Sequence, residues 1–141
     1  MIESDMPLTF LGYGLLPDSS GAGTHRGGLG LWREWRIDCP SAQLSTNLDR
    51  FKSPPFGLDG GMPAALSRLT LTRNGQVQDL PSKVTNLMVR RGDIVRLETS
   101  GGGGFGDPRQ RPRALVERDI QLGYVTARTA ASDYGFDATS T

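Results

Sequence analysis

Ser67-Arg68-Leu69-Thr70-Leu71-Thr72-Arg73, then Asn74-Gly75, then Gln76-Val77-Gln78-Asp79-Leu80 is the stretch that decides the fold class. Two alternating runs flank Asn-Gly, a pair that tolerates positive φ at both central positions of a type I′ turn, so the spacing predicts a two-residue β-hairpin. In that register Leu69 opposes Leu80 and Thr72 opposes Val77. Leu69, Leu71 and Leu80 then share one face, while Val77 falls on the other and leaves the buried side unmarked.

Strand signals continue on both sides of the hairpin. Residues 83–89 and 93–99 form two more strands around the turn Arg90-Arg91-Gly92-Asp93. Upstream, residues 8–16 carry aromatic and aliphatic side chains up to the turn cluster Pro17-Asp18-Ser19-Ser20. From Leu29 to Ile37 a two-residue period places Leu29, Leu31, Arg33, Trp35 and Ile37 on one face and Trp32, Glu34 and Arg36 on the other. Cys39-Pro40 ends that strand. Residues 42–52 are a further strand candidate, stopped by Ser53-Pro54-Pro55, and a long irregular loop runs on through Phe56-Gly57-Leu58-Asp59-Gly60-Gly61-Met62-Pro63.

After Pro108 the period changes. Leu115, Val116, Asp119 and Ile120 recur at helical spacing, with Pro112 in the first turn, and Gly123 ends that helix. Thr126 is placed to cap a second helix, Ala127 to Tyr134, with Gly135 as its left-handed terminus. The expected fold is mainly β within the α+β class: a glycine-rich antiparallel sheet or sandwich with one or two short C-terminal helices. A β domain over residues 1–108, a helical segment over 109–135 and a frayed tail over 136–141 follow, with no internal repeat.

Composition narrows the function classes. The chain has 141 residues, enough for one core, and 16 Lys+Arg against 15 Asp+Glu leave a net charge of +1. Such a balance points to neither nucleic acid nor an anionic membrane. No apolar stretch reaches the roughly 18 residues of a membrane span, and Met1 to Phe10 lacks the features of a signal peptide, so a cytoplasmic location is expected. Cys39 is the only cysteine and His25 the only histidine, which excludes an internal disulfide and a usual Cys/His zinc site. No Gly-x-Ser-x-Gly turn is present to hold a nucleophile. Nineteen glycines and nine prolines sit in clusters between apolar runs, as turns do in a folded β protein.

Gly101-x-Gly103-x-x-Gly106 fits the dinucleotide fingerprint as text, but Asp107-Pro108 interrupts where a helix must start, and no βαβ unit surrounds it. Close approach of two backbones, or of a loop and a ligand, explains Gly102, Gly103 and their neighbours better. His25-Arg26-Gly27-Gly28 offers a guanidinium on a glycine loop. It grips a carboxylate or phosphate ligand, or it pins the loop to a carboxylate within the fold. Asp59 and Asp107 are candidate acids or ligands, although Asp beside Gly or Pro more often makes a turn. The candidate substrate-binding or interface residues are therefore His25, Arg26, Asp59, Gly102, Gly103 and Asp107. No catalytic or metal-ligating residue is assigned.

Several phrases taken together resemble one family. They are Pro17-Asp18-Ser19-Ser20-Gly21-Ala22-Gly23 followed by Arg26-Gly27-Gly28-Leu29-Gly30, Pro55-Phe56-Gly57-Leu58-Asp59-Gly60-Gly61, Leu80-Pro81-Ser82-Lys83-Val84-Thr85-Asn86, Gly92-Asp93, and Thr99 to Pro108 with its Gly-Gly-Gly-Gly-Phe-Gly-Asp-Pro ending. In this order and spacing, with Gly123-Tyr124-Val125 and Asp133-Tyr134-Gly135 behind them, they look like the C-terminal part of the hydantoinase B/oxoprolinase family.

The resemblance implies a subunit of an ATP-dependent complex that is inactive alone and works with larger hydantoinase A-type and B-type subunits in a hetero-oligomer. It implies that ATP, Mg²⁺ and a further divalent metal belong to those partners, with no cofactor bound by this chain. The leading expectation is the small subunit of an acetophenone- or acetone-type ketone carboxylase, a ligase, and the start at Met1 favours a natural subunit over an excised fragment. The alternatives are part of an N-methylhydantoinase or 5-oxoprolinase, a hydrolase of cyclic amides, and a stand-alone anion-binding β module.

Overall fold

The computed structural model describes residues 5–139; Met1 to Ser4 of the amino-terminal stretch and Ser140 and Thr141 of the expected tail lie outside the described residues. Among the described residues there are seven strands: β1 Leu8–Leu15, β2 Leu31–Ile37, β3 Ser41–Asn47, β4 Arg68–Arg73, β5 Gln76–Leu80, β6 Lys83–Arg90 and β7 Ile94–Glu98. Five of them form an antiparallel sheet in the order β1-β2-β7-β4-β5, and β3 and β6 pair as a separate two-stranded ribbon. Two helices follow, α1 Arg113–Gln121 and α2 Ala127–Tyr134.

The deciding hairpin forms in the expected register, with Leu69 opposite Leu80 and Thr72 opposite Val77. Asn74 and Gly75 take φ of 52° and 75°, the positive values that a type I′ turn demands. The structure also resolves which face is buried. Leu69, Leu71 and Leu80 are in the core, and Val77 is 62% exposed.

The ribbon packs on the sheet through Val84 and Val89, which join Ile37, Leu69, Leu71, Leu80 and Val95 in one buried cluster. This makes a partial sandwich, in which each layer buries the apolar face of the other. The strand expected over 42–52 ends early, at Asn47. The Leu48 amide still donates to the Ser82 carbonyl at 3.0 Å, but Arg50 takes φ of 65°, and that left-handed residue breaks the extended run. Leu29 and Gly30, expected at the start of β2, belong instead to the preceding glycine segment, where the Gly30 amide donates to Ser19 Oγ at 2.7 Å.

The helices form as their caps dictate. Thr126 Oγ1 accepts the Thr129 amide at 3.2 Å, and Gly135 closes α2 in the left-handed region at φ 63°. Pro112 is the N-cap of α1 rather than a residue of its first turn. A second buried cluster of Val116, Val125, Ala130 and Tyr134 takes in Ala22 from the first glycine segment, so the helices pack on that loop. Phe136, assigned from sequence to the frayed tail, is partly buried against this cluster, and the Arg113 guanidinium lies 4.5 Å from its ring centroid.

The turn at Arg90 to Asp93 carries the chain from ribbon to sheet, since β6 pairs with β3 and β7 with β2 and β4. Asp93 fixes this corner. Its carboxylate accepts from Arg73 Nε at 2.9 Å, from Arg73 Nη2 at 2.6 Å and from the Arg90 amide at 2.9 Å. The Arg73 guanidinium, helped by the Arg90 amide, holds the Asp93 carboxyl below its ordinary value against the opposing effect of burial. A depressed folded-state value means that the stabilisation is complete above the unfolded value of about 3.9 and is lost as pH falls through the folded value. Asp93→Asn is therefore expected to cost about 2 kcal/mol at neutral pH and to flatten the acid limb of stability below about pH 4, as measured by urea unfolding at stepped pH.

Candidate functional site

Three glycine-rich segments, residues 19–30, 56–62 and 99–106, cross where the sheet meets the helices. The third runs between the other two. On one side the Gly21 amide donates to the Gly102 carbonyl at 2.8 Å, the Gly102 amide to Gly28 at 2.9 Å, and His25 and Phe105 exchange both backbone hydrogen bonds at 2.9 Å. On the other side the Leu58 amide donates to Gly104 at 2.9 Å, Gly106 to Leu58 at 2.9 Å and Gly104 to Met62 at 2.9 Å. Met62 then reaches across to the Ala22 carbonyl at 2.7 Å and ties the outer segments together.

Such spacing leaves no room for side chains. A Cβ built on Gly103 would lie 1.9 Å from the Phe56 carbonyl oxygen, and one on Gly27 would lie 2.0 Å from that of Gly102. Both glycines have φ outside the left-handed region, so what they supply is bulk-free contact rather than an unusual turn. Gly60 is different: with Asp59 at φ 49° and Gly60 at φ 87°, it makes a tight turn closed by the Gly61 amide on the Leu58 carbonyl at 2.9 Å.

The structure brings His25, Asp59, Gly102, Gly103 and Asp107 to this crossing. Gly102 and Gly103 lie inside it, half-buried. His25 is exposed, with its ring centroid 6.2 Å from that of Phe105. Asp59 stands exposed on its turn. Asp107 is also exposed, and its side chain caps the short 3-10 turn Pro108–Gln110 by accepting the Arg109 amide at 2.9 Å. Phe56, Leu58 and Phe105 present apolar side chains to solvent beside them, 72%, 57% and 47% exposed.

Arg26 turns away from this group. Its Nε donates to Asp119 Oδ2 at 3.2 Å and its Nη1 to the Gly27 carbonyl at 2.8 Å, with the Tyr124 ring centroid 5.4 Å from the guanidinium carbon. Of the two roles open to it from sequence, Arg26 takes the internal one, pinning its loop to a carboxylate on α1. Arg111 donates through Nη2 to the same Asp119 oxygen at 3.0 Å and through Nη1 to the Thr24 carbonyl at 3.1 Å. The Asp119 and Arg111 side chains are only 7% and 9% exposed. One buried carboxylate thus receives two guanidiniums and joins the first glycine segment, the 3-10 turn and α1. Burial raises the nearby Tyr134 hydroxyl above its ordinary value, so it stays protonated.

Sequence reasoning missed Asp119 and Arg111 as parts of this cluster. The available signal was Asp119 itself, a charged residue on the apolar stripe of α1 beside Val116 and Ile120, where a carboxylate requires a cationic partner. Among the described residues, no three His, Cys, Asp or Glu side chains gather where they can hold a metal ion. No helix among them is long and apolar enough to cross a membrane.

The chain thus combines a partial β-sandwich with a glycine crossing that is locked to two helices by a charge cluster. The chain belongs to the hydantoinase B/oxoprolinase family, whose profile matches residues 1–108. It is 37% identical over 136 residues to an uncharacterised protein of Methanocaldococcus jannaschii, covering 95% of this chain and 23% of that protein. It is 30% identical over 143 residues to the caprolactamase subunit beta of Pseudomonas jessenii, covering 96% of this chain and 24% of that subunit. The solved structure of the ATP-dependent caprolactamase from Pseudomonas jessenii superposes with a TM-score of 0.84 at 28% identity, over 99% of this chain and 25% of that one. The nucleotide-free structure of acetone carboxylase superposes with a TM-score of 0.81 at 26% identity, over 92% of this chain and 21% of that one. The chain spans about a quarter of the length of these relatives.

The crossing generates a paired test. Gly103→Ala is expected to destabilise by more than about 3 kcal/mol or to prevent folding, because the facing atom is backbone and cannot yield. Gly28→Ala, which meets nothing within 4 Å, is expected to stay within about 1 kcal/mol of the parent in the same thermal unfolding experiment.

Proposed function

We propose that this chain is a structural, site-completing part of an ATP-dependent enzyme of the hydantoinase type, assembled with larger A-type and B-type partners. The observation that carries this reading is the superposition of nearly the whole chain on one quarter of a single chain of the ATP-dependent caprolactamase. The local chemistry supports it. A phosphate cradle needs backbone amides free to face the ligand. Here the amides of Gly21, Gly102, Gly104, Phe105 and Gly106 are committed to carbonyls of the neighbouring segments. Arg26, the sequence's best anion grip, is committed to Asp119. These residues hold a shape, and in this reading ATP, Mg²⁺ and any further divalent metal are bound by the partners.

The reaction we assign to the assembly is ATP-dependent hydrolysis of a cyclic amide. The family description and the likeness to caprolactamase both support it. Carboxylation of a ketone is the second reading, supported by the likeness to acetone carboxylase. In either case the exposed group around His25, Asp59 and Asp107 faces the partner or lines the wall of the shared site.

Reconstitution tests the proposal. With A-type and B-type partners present, adding this chain is expected to raise ATP-dependent turnover of a cyclic amide by at least about 100-fold, as expected where a missing wall misplaces reacting groups. Bicarbonate-independent turnover assigns amide hydrolysis, and bicarbonate-dependent loss of a ketone assigns carboxylation. Full turnover by this chain alone, or by the partners without it, contradicts the proposal.

A further inference from the structure

The β3-β6 ribbon covers only part of the sheet, and the uncovered part is apolar. Cross-strand neighbours share a face, so register traces each row across the sheet from β5 to β1. One row runs Leu80, Leu69, Leu97, Arg33, Tyr13. The next runs Gln78, Leu71, Val95, Trp35, Phe10. Where the ribbon lies, Leu69 is 2% exposed and Val95 0%; at the far end of the same face Tyr13 is 78% exposed, with Leu15 at 46% and Leu31 at 41%.

Arg33 stands in the middle of this open end. A cavity of about 250 Å³, lined by Leu8, Phe10, Arg33, Trp35 and Leu97, lies on one side of it. A second, of about 210 Å³ between Leu31 and Thr99, lies on the other. Among the described residues Arg33 makes no ion pair. The opposite face of β2 and β7 is internally satisfied: Arg96 pairs with Glu34 at 3.4 Å and Glu98 at 2.8 Å, Arg36 pairs with Asp38 at 2.8 Å, and the Arg96 guanidinium lies 4.5 Å from the Trp32 ring centroid.

We infer that the open half of the sheet, centred on Tyr13, Arg33 and Trp35, is the face that docks onto the remainder of the B-type body, through an apolar surface carrying one carboxylate opposite Arg33. The inference rests on the reading in the preceding subsection. Two observations select this occupant. The caprolactamase that superposes on this chain is about four times its length, so a body some three times larger exists in that protein to supply the missing layer. A second copy of this chain is disfavoured, because a two-fold contact centred on this face brings Arg33 towards its own counterpart and sets like charges together.

The experiment uses the complex of this chain with its A-type and B-type partners. A photo-reactive benzoylphenylalanine is placed at Tyr13, at Leu58 on the glycine crossing, or at Val77 on the far hairpin. All three positions are exposed, so folding is preserved. The expected result is cross-linking to the B-type body from position 13 and none from position 77. In parallel, Arg33→Glu is expected to weaken capture of the B-type body by at least about tenfold, and Arg33→Lys by less than about threefold. A complex that forms but cross-links only from position 58 or 77, links position 13 to a second copy, or ignores Arg33→Glu overturns this inference and leaves the functional reading standing. Failure of the unmodified chain to form a complex overturns both.

Discussion

Three polypeptide segments pass close enough for their peptide groups to touch, and the remaining architecture is arranged around that contact. Side chains are normally the spacers that set distances between segments. Where residues 19–30, 56–62 and 99–106 touch, glycines such as Gly27, Gly61, Gly103 and Gly104 take their place, and carbonyl oxygens occupy the volume where Cβ atoms would be. Packing this dense buries many peptide groups, which is tolerable only because they pair with one another. A network of modest hydrogen bonds, each worth about 1 kcal/mol net, then acts in place of an apolar core.

This contact links the two buried clusters. The first segment leads into β2, the third follows β7, and β2 and β7 pair in the sheet, with Leu31 and Thr99 exchanging hydrogen bonds at the exit. Ala22 of the first segment enters the helical core, and Asp18 accepts the Thr126 amide at the start of α2 at 2.8 Å. Asp119 closes the arrangement by drawing in Arg26 and Arg111. Two part-buried guanidiniums on one carboxylate are costly to desolvate and are held by their further bonds to the Gly27 and Thr24 carbonyls. Their effect is to fix where the helices sit on the glycine segments.

Much of this was legible in sequence, for reasons that differ by element. The hairpin at Asn74-Gly75 and the caps at Thr126 and Gly135 were read correctly because local geometry dictates those residues. The family was legible from phrases of glycine, proline and aspartate in order, the residues that unusual backbone geometry restricts most. The β6–β7 corner gave less away. Arg90 to Asp93 looks like any turn between strands, and only the paired sheet and ribbon show that it changes layers. The end of β3 was misjudged because a left-handed Arg50 has no sequence signature. The destination of Arg26 was open because its partner lies 93 residues away on another element.

The glycine crossing is a structural lock whose amides are spent on neighbouring backbone. Native-state hydrogen exchange of the amides of Gly102, Gly104 and Phe105 tests it directly. They are expected to exchange only through global unfolding, at the same free energy as core strand amides such as those of Leu69 and Val95. Exchange of the crossing amides well before the strand amides, or their selective protection on adding ATP or phosphate, would contradict it.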